Sequence, residues 1–362
     1  MAFPRFSCFV LFLSLWLLAC VAFLHFFLSP LSVHAQTAVM AAAPASAFGE
    51  RIFYYSTSKS TAADFAAHVK DIDIIAPQTY EITAALTASG TVPTDLAEEA
   101  HASGTKVMPL IANHDFSQSI IDRFLSSATA ESALTGFLVG EAQSKGYIGW
   151  QFDFEHVLSA DRGKLCAFVG QAGAALHAHG LVLSVAVVSR APGTESDDPT
   201  SAFYKNWSGA YDYAYLASST DFLSLMAYDD PDSTTASAPL PYVKSVLGNI
   251  LSQVPPSKIS LGVPLFYWGW TTGVPPVRLS SSGTFAEATY RANAYPSFQG
   301  FNATIETPWV IYRIGKKIYK IWYENAQSFS LKAALIGQYH LRGFSAWVLG
   351  NEDPSIWGTI GN

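Results

Sequence analysis

Gly149-Trp150-Gln151-Phe152-Asp153-Phe154-Glu155-His156 is the stretch on which the fold turns. It follows Gly146-Tyr147-Ile148, a turn leading into an apolar run, and the pattern predicts a buried β-strand that ends in acids. Side chains alternate along a strand, so Gln151, Asp153 and Glu155 project to one face and Trp150, Phe152 and Phe154 to the other. Two carboxylates on one face repel and desolvate each other, which raises the pKa of one and keeps it protonated near neutral pH. General acid catalysis requires such a group. A solvated strand end is the competing reading, and the flanking Trp and Phe argue against it because they bury the segment.

The surrounding 362 residues are half hydrophobic, with 14% charged residues, 25 Gly and 19 Pro. That composition suits one large domain with a substantial core. Residues 1–35 read as a signal peptide or membrane anchor: Arg5 precedes the apolar run Cys8 to Leu28, and Val33-His34-Ala35 offers a small-residue cleavage pattern. An exported location, secreted or in the cell envelope, follows from that reading. Residues 36–49, Ala-rich with one Pro and no charge, read as a linker. Beyond residue 45 the chain carries 20 basic and 28 acidic residues. That acidic balance argues against nucleic acid as a partner. Cys166 is the single cysteine outside the leader, so no internal disulfide is expected there.

From residue 50 to 362 strand and helix patterns alternate, which predicts a parallel sheet with crossover helices. The expected strands are Arg51 to Ser56, Asp73 to Ala76, Lys106 to Ala112, Ile148 to Phe154, Leu181 to Val188, Phe222 to Ala227, Ile259 to Val263 and Gly343 to Val348. Eight strands alternating with helices predict an α/β fold, a (β/α)8 TIM barrel. Residues 266–325 break the alternation and show no helical period. Within them, two alternating runs, Pro308 to Ile314 and Lys317 to Tyr323, flank Gly315-Lys316, a hairpin signature. A small α+β or β-rich insertion between strands seven and eight is expected.

Residues 148–155 resemble the D-G-x-D-x-D-W-E motif of family 18 glycoside hydrolases, the chitinases and their relatives, which lies on the fourth strand of such a barrel. Glu155 matches the catalytic acid, Asp153 the adjacent aspartate and Phe154 the aromatic, whereas Ile148 and Gln151 replace two aspartates. The Phe-Glu variant and the amide are similar to the bacterial spore-cortex and cell-wall lytic branch. Met226-Ala227-Tyr228-Asp229 resembles the family's M-x-Y-D, Leu261-Gly262-Val263-Pro264 its G-(V/I)-P, and Trp347 its final tryptophan, all in the family's order.

The resemblance implies hydrolysis of β-1,4 bonds next to N-acetylated amino sugars in chitin-like or peptidoglycan polysaccharide, with retention and with the substrate's acetamide as nucleophile. It implies catalytic roles for Glu155, Asp153 and Tyr228, and substrate contacts from Gln151, Asn113, Met226, Asp229, Trp347, Tyr80 and Trp268. No metal or organic cofactor is implied, and a monomer is expected. His177 and His179 end a helix beside Gly180 and read as a helix terminus rather than a ligand pair. A lectin-like barrel that binds sugar without cleaving it is the alternative, and the retained Glu155 weighs against it. An exported scaffold sharing only the barrel is a third reading.

Overall fold

The computed structural model describes residues 48–272 and 278–361, so the leader and most of the linker lie outside the described residues. Phe48, placed in the linker by sequence, is buried in the barrel core. The first seven barrel staves are β1 (Glu50–Tyr55), β2 (Ile74–Ile82) with a short antiparallel partner β3 (Ala88–Gly90), β4 (Lys106–Val107) continued by β5 (Leu110–Asn113), β6 (Gly149–Asp153), β7 (Val182–Val188), β8 (Phe222–Met226) and β9 (Ile259–Pro264). An insertion supplies β10 (Phe266–Thr272), β11 (Arg278–Thr284), β12 (Ser297–Asn302), β13 (Thr307–Ile314) and β14 (Lys317–Trp322), after which β15 (Gly343–Trp347) is the eighth stave. Parallel pairing runs from β1 through β15, β9, β8, β7, β6, β5 and β2, and β2 pairs back to β1, which closes the barrel.

Helices cover the outside: α1 (Lys59–His68), α2 (Thr94–Ser103), α3 (Gln118–Phe124), α4 (Ala128–Lys145), α5 (Arg162–Ala178), α6 (Tyr213–Ser219) and α7 (Leu240–Leu251). The insertion adds α8 (Phe285–Ala294); α9 (Ala326–Tyr339) precedes the last stave and α10 (Ile356–Ile360) follows it. The alternation along β6 explains how this layering positions the site. Trp150, Phe152 and Phe154 pack outward under the helices, where Trp150 donates its indole N–H to Leu138 O at 2.9 Å and Phe152 stacks on Phe168 of α5. Gln151 and Asp153 face inward.

The barrel interior beside them is polar rather than uniformly aliphatic. Gln151 Nε2 donates to Ser184 Oγ at 2.7 Å, and Tyr54, Ser224 and Ser345 form a hydroxyl chain with separations of 2.7 and 2.6 Å. Strand β6 starts at Gly149, whose φ of 154° and contact with the Val182 carbonyl leave no room for a Cβ.

Several elements differ from the sequence expectations. The third stave is split because Pro109 lacks an N–H; its carbonyl instead accepts from Gln151 N at 3.0 Å. The second stave runs past Pro77 to Ile82, since Pro77 falls where the ladder with β1 ends, and pairing continues with β5 and β3. Between Pro199 and Ala217, where the strand–helix alternation calls for a crossover helix, the chain makes a wide single turn at Tyr204–Ser208 followed by the short α6. The insertion is a five-stranded antiparallel sheet with the β13–β14 hairpin as expected. It also holds α8, for which the signal was a capping box: Thr284 Oγ1 accepts from Glu287 N while Glu287 Oε2 accepts from Thr284 N.

Candidate active site

At the carboxyl ends of the staves lies a cavity of about 410 Å³. Asp153 and Glu155 come to it from β6 and the residues just beyond, Tyr228 and Asp229 from the end of β8, Met226 from β8 itself and Trp347 from β15. Tyr54, Phe116, Phe203, Trp207 and Tyr242 supply further aromatic wall. A pocket with aromatic sides and carboxyls gathered in one region suits a ring whose C–H faces stack on π-systems while its polar substituents meet a few fixed groups. Tyr54 packs against Trp347 with ring centroids 5.2 Å apart, which backs the indole from below.

The electrostatics concentrate on the β6 acids. Asp153 is buried, and loss of water pushes its carboxyl up to about 7. Glu155 is held well above the usual carboxylate range, first by burial of its carboxyl and then by the charges of Asp153 and Asp229. The two titrate as a pair, so near neutral pH the site holds a proton that an isolated carboxylate would have lost. Tyr228 is buried beside them, and burial with the surrounding negative charge keeps its phenol protonated.

Glu155 sits two residues past the last ladder position of its strand, and its main chain is fixed by side chains from elsewhere. Asn113, at the end of β5, accepts from Glu155 N at 3.1 Å through Oδ1 and donates to Glu155 O at 3.1 Å through Nδ2. Tyr211 donates to Phe154 O at 2.6 Å. His156 then turns the chain away in a left-handed conformation, φ 57°, with its ring stacked 4.4 Å from Trp207.

Six of the ten residues named from sequence therefore line one cavity: Asp153, Glu155, Met226, Tyr228, Asp229 and Trp347. Four do not. Gln151 lies deeper, fully buried against Ser184. Asn113 spends its amide on the backbone of Glu155 and Ser117. Tyr80 points out of the barrel, donating to Glu141 Oε1 at 2.8 Å and packing edge-on against Trp150. Trp268 belongs to a tryptophan cluster of the insertion with Trp270, Trp309 and Trp322. These four side chains lie outside the lining of the cavity.

Sequence reasoning missed Tyr54, Phe116, Phe203, Trp207 and Tyr242. Tyr54 had a signal, as an aromatic near the end of the first stave. Phe203 and Trp207 sit at the wide turn of the crossover between the fifth and sixth staves, and nothing local in the sequence marked them. His177 pairs with Asp221 at 2.9 Å at the outer end of α5, and among the described residues no cluster has the makings of a metal site.

Comparison with known proteins agrees with this geometry. Residues 40–352 match the family model for glycosyl hydrolases family 18. The uncharacterized glycosylase YvbX of Bacillus subtilis is 27% identical over 75% of this chain and 78% of its own length. The cortical fragment-lytic enzyme of the same organism is 28% identical over 73% of this chain, but the match spans only 61% of that protein. Among solved structures, a chitinase from Chromobacterium violaceum superposes with a TM-score of 0.77 at 25% identity, covering 86% of this chain and 98% of that one. The spore cortex-lytic enzyme SleL of Bacillus megaterium shares the fold with a TM-score of 0.77 at 24% identity over 86% of this chain and 73% of its own. The chain belongs to family 18 of the glycosyl hydrolases and is an O-glycosyl hydrolase.

Proposed function

We propose that this enzyme cleaves β-1,4 linkages next to N-acetylglucosamine-type sugars by a retaining, substrate-assisted mechanism, with peptidoglycan fragments rather than crystalline chitin as its polymer. The observation that carries this reading is the Asp153–Glu155 pair, buried together at the mouth of an aromatic cavity with Glu155 held protonated. In the step proposed, Glu155 gives its proton to the leaving sugar's oxygen while the acetamide oxygen of the substrate attacks the anomeric carbon. The bond to the leaving group breaks as the ring closes onto the acetamide. Water, deprotonated by the resulting Glu155 carboxylate, then opens that ring and restores the acid.

Asp153 would hold the acetamide N–H and offset the positive charge of the cyclic intermediate. Tyr228 would aim the acetamide oxygen, and Trp347 would floor the distorted ring. Asp153 and Glu155 leave one strand on the same side, which favours assistance between neighbours over a base acting from the opposite face of the sugar. Gln151 can only exchange hydrogen bonds and cannot take a proton from Asp153. The peptidoglycan preference rests on that amide and on the similarity to a cortical fragment-lytic enzyme. Residues 1–35, as an export signal or anchor, would bring the enzyme to that polymer.

Product analysis on chitin oligomers and purified peptidoglycan side by side tests the reading. We expect new N-acetylglucosamine-type reducing ends from peptidoglycan, and none with Glu155→Gln. Residual activity of that variant above about one per cent would remove Glu155 from its role. Faster release from chitin than from peptidoglycan would overturn the choice of polymer.

A further inference from the structure

The insertion differs from the rest of the molecule in charge and in what it exposes. Residues 266–325 hold six basic and three acidic residues, a net charge of +3, whereas the remainder of the chain carries −10. Four of the six basic residues fall in Arg313-Ile314-Gly315-Lys316-Lys317-Ile318-Tyr319-Lys320, a run without an acid. Among the described residues, five of the six exposed large hydrophobic side chains also lie in the insertion.

The strand register places these features together. β10 leaves the barrel at Phe266, opposite Thr284 of β11, so the far end of the sheet is where Trp270 pairs with Leu279, Arg313 with Ile318 and Ile314 with Lys317. Phe298, opposite Ile311, is near the same end on β12. Phe298 is 78% exposed, Leu279 47%, and Ile314 and Ile318 each 38%. Lys316 and Lys317 are exposed at the hairpin turn, and among the described residues neither makes an ion pair. The three acids of the insertion are elsewhere: Glu287 caps α8 beside Thr284, Glu306 precedes β13 at the barrel end, and Glu324 is buried against Lys332.

We propose that this far end of the insertion sheet is a docking surface for a bilayer with anionic headgroups. Lysines at the turn would meet lipid phosphates, with flexible stems lying along the apolar side chains. Ile314, Leu279 and Phe298 would enter the boundary between headgroups and acyl chains. The apolar side chains select the bilayer over a dissolved anionic polymer, which offers charge but no medium into which an isoleucine or phenylalanine gains by moving. The surface lies on a different part of the molecule from the catalytic cavity, whose lining includes no residue of the insertion. The inference therefore does not rest on the proposed substrate.

Hydrogen exchange of the full chain, read by mass spectrometry on vesicles, tests this independently of any anchoring by the leader. We expect segments 278–281, 297–299 and 313–318 to gain protection on vesicles of mixed phosphatidylglycerol and phosphatidylcholine, but not on phosphatidylcholine alone. The protection should be lost in high salt and in K316E/K317E, with occupancy reduced by roughly fivefold or more per charge. It should also fall in F298S/I314S, while hydrolysis of a soluble oligosaccharide stays unchanged in both variants. Equal exchange on the two kinds of vesicle would overturn the proposal. So would equal protection by a soluble poly(glycerol phosphate) without lipid, which would make the surface a polyanion site instead.

Discussion

Asp153 is a buried acid whose carboxyl titrates near 7, and Glu155 beside it titrates higher than an ordinary glutamate. Both binding a proton more tightly in the folded than in the unfolded chain, they stabilise the fold most below about pH 4, and that contribution is lost as pH rises toward and past 7. Asp153→Asn should therefore be more stable than the parent by about 1 kcal/mol or more near pH 8, with the advantage shrinking toward pH 5, as thermal melts would show. The same change removes a negative neighbour, so the pKa of Glu155 falls. The alkaline limb of kcat/KM should move to lower pH even as the rate drops. An unmoved limb would mean that the acid seen kinetically is not Glu155. Asn113 acts one step further out, through the backbone of Glu155. Asn113→Ala should lower kcat by about tenfold or more with KM little changed, because a misaimed acid costs rate rather than binding. A KM-only effect would instead restore it as a substrate contact.

Single elements show where sequence signals were sufficient. The period-two alternation of β6 was legible because its two faces differ so sharply: Trp150, Phe152 and Phe154 meet the helices and Gln151 and Asp153 the barrel interior. The Gly315-Lys316 turn likewise fixed the β13–β14 hairpin. Less legible were elements whose form depends on distant partners. β3 is three residues, Ala88-Ser89-Gly90, with no intrinsic strand preference, and it exists because β2 offers an edge. Tyr204–Ser208 is neither helix nor loop by composition. Lys332 of α9 is another case: it is 1% exposed and bonded to both oxygens of Glu324, at 2.8 and 2.9 Å. Burial pushes the Glu324 carboxyl up even beside the ammonium. Lys332→Met alone should destabilise by about 3 kcal/mol, since it strands a buried acid, and Lys332→Met with Glu324→Leu should recover most of that. Denaturant titration of the two variants would measure both effects.

For the whole molecule, the eightfold alternation and the order of motifs predicted the barrel, and closure through β1, with β15 on one side and β2 on the other, brings the ends of β6, β8 and β15 around one cavity. Closure also decides what sequence order cannot: Asn113 is near Glu155 because β5 neighbours β6, and Tyr80, near the end of the second stave, turns outward because of a register shift between Gln78 and Tyr80. The central claim is that one face of one strand supplies both the proton donor and the group that holds the substrate's acetamide for internal attack. Such a displacement occurs twice at the anomeric carbon, so the configuration must be kept. Proton NMR of the first sugar released from a soluble β-linked N-acetylglucosamine oligomer, recorded before mutarotation, tests this most directly. The β-anomer should appear first; an initial α-anomer would contradict the account.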